Sequence, residues 1–227
     1  MLEILTIRVY HSMPDDIHSR TLSPFFNVST PNLRVCSLSS FNFGWDNRLL
    51  SGLRVLILGE YFNSFAPSPA ALLDVLRQCP ELEELALKNI SDVGDSEDDI
   101  LLTSRKIHLL RLKRASFNYS GLCRTRKVMK YVEFPNLESL ELAYLENVNP
   151  FLQEIGDQAL TRLPLKTLRI DSCLFSEMRF INLLVKLPTL VSLQLVDVED
   201  VSYITLKVCR VLLCCHRPFI CLGDVVS

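Results

Sequence analysis

The fold of this chain is decided by a short stretch of sequence, Pro80-Glu-Leu-Glu-Glu-Leu-Ala-Leu87. Leu85 and Leu87 alternate with small or charged residues, which is the period-two pattern of a β-strand with one buried face. The same arrangement, Pro-x-Leu-x-x-(Leu or Cys)-x-Leu, starts again at Pro31, Pro135 and Pro188. The stretch is therefore one unit of an internal repeat, for which the 42 leucines among the 227 residues supply the buried positions.

Without the proline, the leucine pattern occurs eight times along the chain. The first apolar residues of the units are Leu2, Leu33, Leu53, Leu82, Ile107, Leu137, Leu165 and Leu190. Successive units are 20 to 31 residues apart. This spacing lies at or just above the period of leucine-rich repeats, in which each unit supplies one short strand and a helical or irregular return.

The segments between the predicted strands have the length and pattern of helices. Residues 68–79 begin with Ser68 as a candidate N-cap and Pro69 at the first helical position, and they end before Pro80. Residues 149–163 and 176–187 follow the same pattern. The sequence thus predicts an α/β fold, an irregular leucine-rich-repeat solenoid with a parallel sheet on the concave face and helices on the convex face.

The predicted domain organisation has two parts. Residues 1–204 form the repeat domain of about eight units, and residues 205–227 form an atypical apolar, cysteine-rich tail without a capping helix. Within the repeats, alternation along the strands predicts which leucines and isoleucines are buried. These are Leu85, Leu87, Leu140, Leu142, Leu168, Ile170, Leu193 and Leu195.

The same alternation predicts which strand residues point out of the core. They are apolar or small in the first strands and charged in the middle of the chain, a graded surface that suits recognition of a protein or peptide. The predicted protein-binding residues on the concave face are Glu84, Lys88, Arg111, Lys113, Glu141, Arg169 and Asp171. The identity of the target protein is not predicted.

The charge pattern argues against a nucleic-acid-binding protein. The net charge is -2 and the isoelectric point is about 6.1, whereas phosphate neutralisation needs a sustained excess of lysine and arginine. Residues 105–130 form a local block of nine basic residues without an acid. We interpret this block as an electropositive face that balances the acidic run at 92–99 or receives an acidic protein segment, so Arg124, Arg126 and Lys127 give an alternative, convex binding surface.

Motifs for catalysis, metals and cofactors are missing from the sequence. The histidines His11, His18, His108 and His216 are isolated, and no nucleophile motif accompanies them. The acidic run at 92–99 lacks the ligand spacing of a calcium loop. The tail spacing C-x4-C-C-H-x4-C does not match a zinc site. We therefore predict a protein that is not an enzyme and that has no metal or cofactor.

The first residues and the cysteines predict the cellular compartment of the protein. The first residues lack the pattern of a secretory signal, and no run of 18 apolar residues predicts a membrane span. We expect a cytoplasmic or nuclear protein without a membrane partner, in which Cys36, Cys79, Cys123 and Cys173 are reduced.

Four segments give the chain a family resemblance. Residues 33–38, 49–58, 79–89 and 134–147 resemble the leucine-rich half of F-box-like proteins of mushroom-forming fungi, and the resemblance covers about residues 1–204. It implies that the repeats hold a protein to be ubiquitinated. In that family an F-box docks onto a Skp-type adaptor of a cullin ubiquitin ligase, so a Skp-type partner is expected only if an F-box lies outside this chain. The alternative is a generic binding scaffold or a truncated remnant without a ligase connection.

Overall fold

A parallel sheet runs through the molecule. The computed structural model describes residues 2–9, 32–41, 49–62, 66–92, 106–159, 163–199 and 201–214. The described residues form an eight-stranded sheet and a second sheet of two short strands. The large sheet comprises β1 (Ile4–Arg8), β2 (Val35–Ser39), β3 (Val55–Tyr61), β4 (Glu84–Ile90), β6 (Arg114–Asn118), β8 (Ser139–Ala143), β9 (Thr167–Asp171) and β10 (Ser192–Val196). The small sheet comprises β5 (Ile107–His108) and β7 (Val132–Glu133).

The strands of the large sheet follow one another in chain order, and all their pairings are parallel. Equivalent positions of the repeat lie side by side, so that Leu85 pairs with Leu56 on one side and with Ala115 on the other. Parallel neighbours need crossover connections, and right-handed crossovers in a sequential order put these connections on one face of the sheet. The prediction of an α/β fold with a parallel sheet is confirmed.

Five helices are described, and neighbouring helices pack side by side. They are α1 (Pro69–Arg77), α2 (Leu122–Tyr131), α3 (Asn149–Ala159), α4 (Glu177–Val185) and α5 (Tyr203–Cys214). Helices α1, α3 and α4 lie in the three predicted segments. Ser68 caps α1 as predicted, because its Oγ accepts the N–H of Ala71 at 3.1 Å. Among these described helices, none has the length and apolar character needed to cross a membrane.

The core lies between the sheet and the helices. Of the eight side chains predicted to be buried, seven are at most 2% exposed. Leu195, on the last strand of the large sheet, is only half-buried. Burial of each such leucine contributes about 1.5–3 kcal/mol, so stability comes from the stack and not from a single unit.

The predicted register of the fifth unit is wrong. Its strand β6 begins at Arg114, and the residue equivalent to Leu82 is Leu112 instead of Ile107. The cause is that Ala115 and Phe117 fill the buried positions that leucines fill elsewhere, which hides the unit from a leucine pattern. Ile107 instead opens β5, which pairs with β7.

The end of the described chain also differs from the prediction. Helix α5 packs beside α4 and spans residue 204, where we expected the repeats to end without a capping helix. Hydrogen bonds explain its position, since the Glu177 carboxylate accepts the Ser202 N–H at 2.8 Å and the Thr205 hydroxyl at 2.6 Å. The predictions for residues 215–227, Arg105, His11, His18 and the acidic run after Asp92 lie outside the described residues.

Seven of the strands have a residue in the left-handed backbone conformation at or just after their carboxyl ends. None of these residues is glycine, and they occupy equivalent positions of successive units. They are Ser40, Glu60, Asn89, Tyr119, Tyr144, Ser172 and Asp197, with φ between 47° and 58°. This conformation costs free energy for residues other than glycine. Backbone hydrogen bonds to the next strand offset the cost, as where the Tyr144 N–H donates to Asp171 O at 2.9 Å.

Candidate functional site

The candidate site is the exposed face of the large sheet, which we call the sheet face. It consists of the strand side chains that alternate with the buried ones and point away from the helices. Five predicted binding residues occupy such positions: Glu84, Lys88, Glu141, Arg169 and Asp171. The strand register brings Glu84 and Lys88 on β4 close to β6, and Glu141 on β8 directly beside Arg169 on β9.

The structure does not place Arg111 and Lys113 on the sheet face, which corrects the prediction for these two residues. Both precede β6, because the fifth unit begins five residues later than predicted. The Arg111 side chain is 56% exposed and pairs with Glu81 at 2.8 Å between Nη1 and Oε2. Sequence reasoning missed Arg114, which takes their place beside Glu84 on β4. The spacing of the apolar residues Leu112, Ala115 and Phe117 is the sequence pattern that identifies Arg114 as an outward residue.

Hydrogen bonds connect the charged residues across the strands. Arg114 donates from Nη2 to the Glu84 carboxylate at 2.6 Å. Ser116 donates to Glu141 Oε2 at 2.8 Å, and Arg169 Nε lies 3.4 Å from Glu141 Oε1. Arg169 also donates to Gln194 Oε1 on β10 at 2.9 Å. We call the outward residues of β4, β6, β8, β9 and β10 the charged half of the sheet face. Because these side chains hold one another, the charged half presents fixed donors and acceptors.

Asp171 differs from the other charged residues on this face. It is only 7% exposed, whereas we expected a surface charge with little influence on the core. Its carboxylate accepts from Arg169 Nη2 at 2.5 Å and from the Ser172 hydroxyl at 3.0 Å. These contacts satisfy a carboxylate that has lost most of its water. Asp171 therefore positions Arg169, and Arg169 is the more exposed member of this pair.

The outward residues of β1, β2 and β3 form the apolar half of the sheet face. Apart from Arg8, they are apolar or small: Ile4, Thr6, Val35, Ser37, Ser39, Val55, Ile57 and Gly59. Ile4 is 62% exposed. The predicted gradient from an apolar end to a charged middle is thus a feature of the face.

Arg124 was predicted, with Arg126 and Lys127, to form an alternative binding surface on the helix side. The structure corrects this prediction for Arg124, which is buried. Its guanidinium donates to Pro67 O at 2.8 Å, Ser120 O at 2.7 Å and Ser91 O at 3.0 Å. Burial lowers the pKa of Arg124, and the Asp92 carboxylate opposes this shift. Arg124 therefore joins α2 to the ends of two earlier units and is not available to a partner, while Arg126 remains exposed.

The buried thiols are poor nucleophiles. Burial, with a smaller contribution from the nearby Cys79, raises the pKa of Cys36 to about 12. Burial also raises the pKa of Cys79 and Cys173. A thiol with a raised pKa stays protonated near neutral pH, and the thiolate is the reactive form. Among the described residues, His, Cys, Asp and Glu do not form a group of three or more that could hold a metal ion.

Comparisons with known proteins add no further assignment. No protein-family model and no curated protein matches the chain. The geometry of the sheet face is therefore the observation on which an interpretation of function depends.

Proposed function

We propose that this chain is an irregular leucine-rich-repeat solenoid. Three features support the proposal: the parallel strands follow chain order, equivalent positions pair in register, and a left-handed residue lies at or just after the carboxyl end of seven strands. In this architecture the sheet face is concave and the helices are convex, and each unit is stable only through its neighbours.

Its function in this proposal is to bind another protein across the sheet face. The observation that carries the proposal is a set of paired polar side chains on the outward face of neighbouring strands. Arg114 on β6 bonds to Glu84 on β4, and a second group runs from Ser116 through Glu141 and Arg169 to Gln194. An apolar half adjoins this set in the same sheet. A partner would bury apolar area on one half and exchange directional hydrogen bonds on the other, which gives both affinity and a defined register.

We further propose that the bound protein is the substrate of an F-box-type ubiquitin ligase. The support is the resemblance of residues 79–89 and 134–147 to the repeats of F-box-like proteins. The alternative is a binding scaffold without a ligase connection. Co-purification of a Skp-type adaptor with a chain that includes any upstream exon supports the ligase context, and its absence favours the scaffold.

Site-specific photocrosslinking tests the binding face itself. A photoreactive residue replaces Ser116 in the charged half or, as a matched control, Arg126 on the exposed side of α2. We expect the probe at Ser116 to link a defined partner from native cells and the probe at Arg126 to link none of it. Crosslinks from Arg126 alone would place the binding surface on the helix side and contradict the proposal.

A further inference from the structure

A groove lies at the carboxyl ends of β3, β4, β6 and β8, at the edge of the large sheet. Its volume is about 580 Å³, which lies within the range of about 300–1,000 Å³ typical of ligand sites. Its lining includes aromatic and acidic side chains among apolar and neutral ones. The aromatic ones are Phe62, Tyr119 and Tyr144, and the acidic ones are Glu60, Asp92 and Glu146.

The repeat backbone brings the two tyrosines together. Both are left-handed residues that follow their strands, with φ of 47° at Tyr119 and 53° at Tyr144. Because β6 and β8 pair in register, residues at this position of successive units are neighbours. The rings stack with centroids 4.9 Å apart and an angle of 11° between their planes.

This aromatic pair is exposed, in contrast to the large aromatic side chains of the core. Tyr119 is 57% exposed and Tyr144 is 44% exposed, and Phe62 nearby is 51% exposed. Single exposed apolar residues are common on protein surfaces, but three aromatic rings around one groove form a patch. The face of an aromatic ring is electron-rich and attracts a cation placed over it.

The charged side chains in the groove lining have one sign, and Arg124 lies behind the lining, where it donates to Ser91 O at 3.0 Å. The lining contains three carboxylates, and none of the lining residues is lysine, arginine or histidine. Asp92 is already engaged, since its Oδ2 accepts the Cys123 N–H at the start of α2 at 3.3 Å. Gly121 keeps this arrangement open, because a Cβ at its φ of 81° would collide with the Asp92 carboxylate. Glu60 accepts from Asn89 at 2.8 Å, and Glu146 is exposed.

We propose that the groove binds an arginine side chain on an extended segment of a partner protein. The guanidinium plane stacks on the ring of Tyr119 or Tyr144, and its N–H groups pair with the exposed Glu146. Arginine suits this groove better than lysine, because its planar group stacks on an aromatic face and donates to a carboxylate at the same time. The proposal does not depend on binding at the sheet face, since the groove lies at the strand ends.

The test uses a fluorescently labelled glycine–serine peptide with two arginines and the same peptide with citrulline in place of arginine. Citrulline keeps the planar shape but removes the charge. By fluorescence anisotropy with the full chain, we expect the arginine peptide to bind at least about tenfold more tightly than the citrulline peptide. Equal binding of the two peptides would overturn the proposal.

Variants locate the binding. The double variant Tyr119→Ala/Tyr144→Ala should weaken binding of the arginine peptide about tenfold, while Tyr119→Phe/Tyr144→Phe keeps the rings and should bind like the wild type. Glu146→Gln should weaken binding several-fold, whereas Glu199→Gln removes the same charge from an exposed position outside the groove and should not. Unchanged binding by the alanine variant, or equal weakening by the two glutamine variants, would contradict the proposal. Because the probe is a synthetic peptide, a negative result leaves the crosslinking test of the sheet face unaffected.

Discussion

The two halves of the sheet face have the same backbone but opposite chemistry. In the apolar half, side chains such as Val35 and Val55 lie beside each other without directional bonds. In the charged half, Arg114 and Arg169 are each held by carboxylates on their own or neighbouring strands. The comparison shows that the repeat fixes where an outward side chain lies, while the residue type decides whether the surface is adaptable or directional.

The largest effect should come from the buried positions of the strands that carry the two halves. Leu58→Asp on β3 and Leu140→Asp on β8 each place an unpaired carboxylate in the core, where both leucines are fully buried. Each should cost several kcal/mol and unfold the neighbouring units. Ile4→Asp at an outward position should change stability by less than about 0.5 kcal/mol. Thermal melting followed by circular dichroism measures all three, and a wild-type melting curve for Leu140→Asp would refute the register.

Within the charged half, the two arginines should differ in their contribution to stability. Arg169→Ala leaves the nearly buried Asp171 without its cation and should cost about 2 kcal/mol. Arg114→Ala breaks an exposed pair with Glu84 and should cost less than about 1 kcal/mol. Urea unfolding gives both values. Arg169→Ala/Asp171→Asn should recover part of the lost stability, because a neutral amide replaces the carboxylate. An equal cost for the two single variants would contradict this distinction.

The sequence identified most of the sheet because its leucines carry a regular signal. In seven of the eight strands of the large sheet, the leucine spacing gives the correct outward positions, including Glu84, Glu141 and Arg169. The prediction placed the fifth strand of the large sheet, β6, too early in the chain, because its buried positions hold Ala115 and Phe117 instead of leucines. The outward position of Arg114 was missed for the same reason.

Other features of the structure leave little trace in a sequence. Buried arginines are rare, so Arg124 resembles its exposed neighbours until the carbonyl groups around it are known. The left-handed positions hold serine, acids, asparagine and tyrosine instead of glycine. The sequence therefore does not show where the backbone adopts this conformation. Helix α5 depends on hydrogen bonds from Thr205 to Glu177, which are 28 residues apart.

A pH effect should report the contacts that hold α5 beside α4, at the end of the sheet that carries the charged half. Hydrogen bonds from Thr205 and Ser202 lower the pKa of Glu177 to about 2. A lowered carboxyl pKa stabilises the folded state above the ordinary glutamate pKa, and this contribution disappears as the pH falls through about 2. The melting temperature of the wild type should therefore exceed that of Glu177→Gln at pH 6, and the difference should shrink between pH 4.5 and pH 2. A difference that does not change with pH would exclude this linkage.

The central claim is that the charged half of the sheet face binds the partner, and a matched pair of double variants tests it most directly. Lys88→Glu/Arg114→Glu reverses two charges on the face, and Arg111→Glu/Lys113→Glu reverses two charges just before β6. The arginines are well matched, since Arg114 is 61% exposed and Arg111 is 56% exposed, each in an ion pair with a glutamate.

The amount of partner that co-purifies with each variant is the decisive measurement. Charge reversal in an interface costs about 2–5 kcal/mol of binding, whereas exposed charges hardly affect folding. We predict that Lys88→Glu/Arg114→Glu loses the partner, that Arg111→Glu/Lys113→Glu retains it, and that both melt near the wild-type temperature. Loss of the partner in the second variant with retention in the first, or equal loss in both, would contradict binding at the charged half.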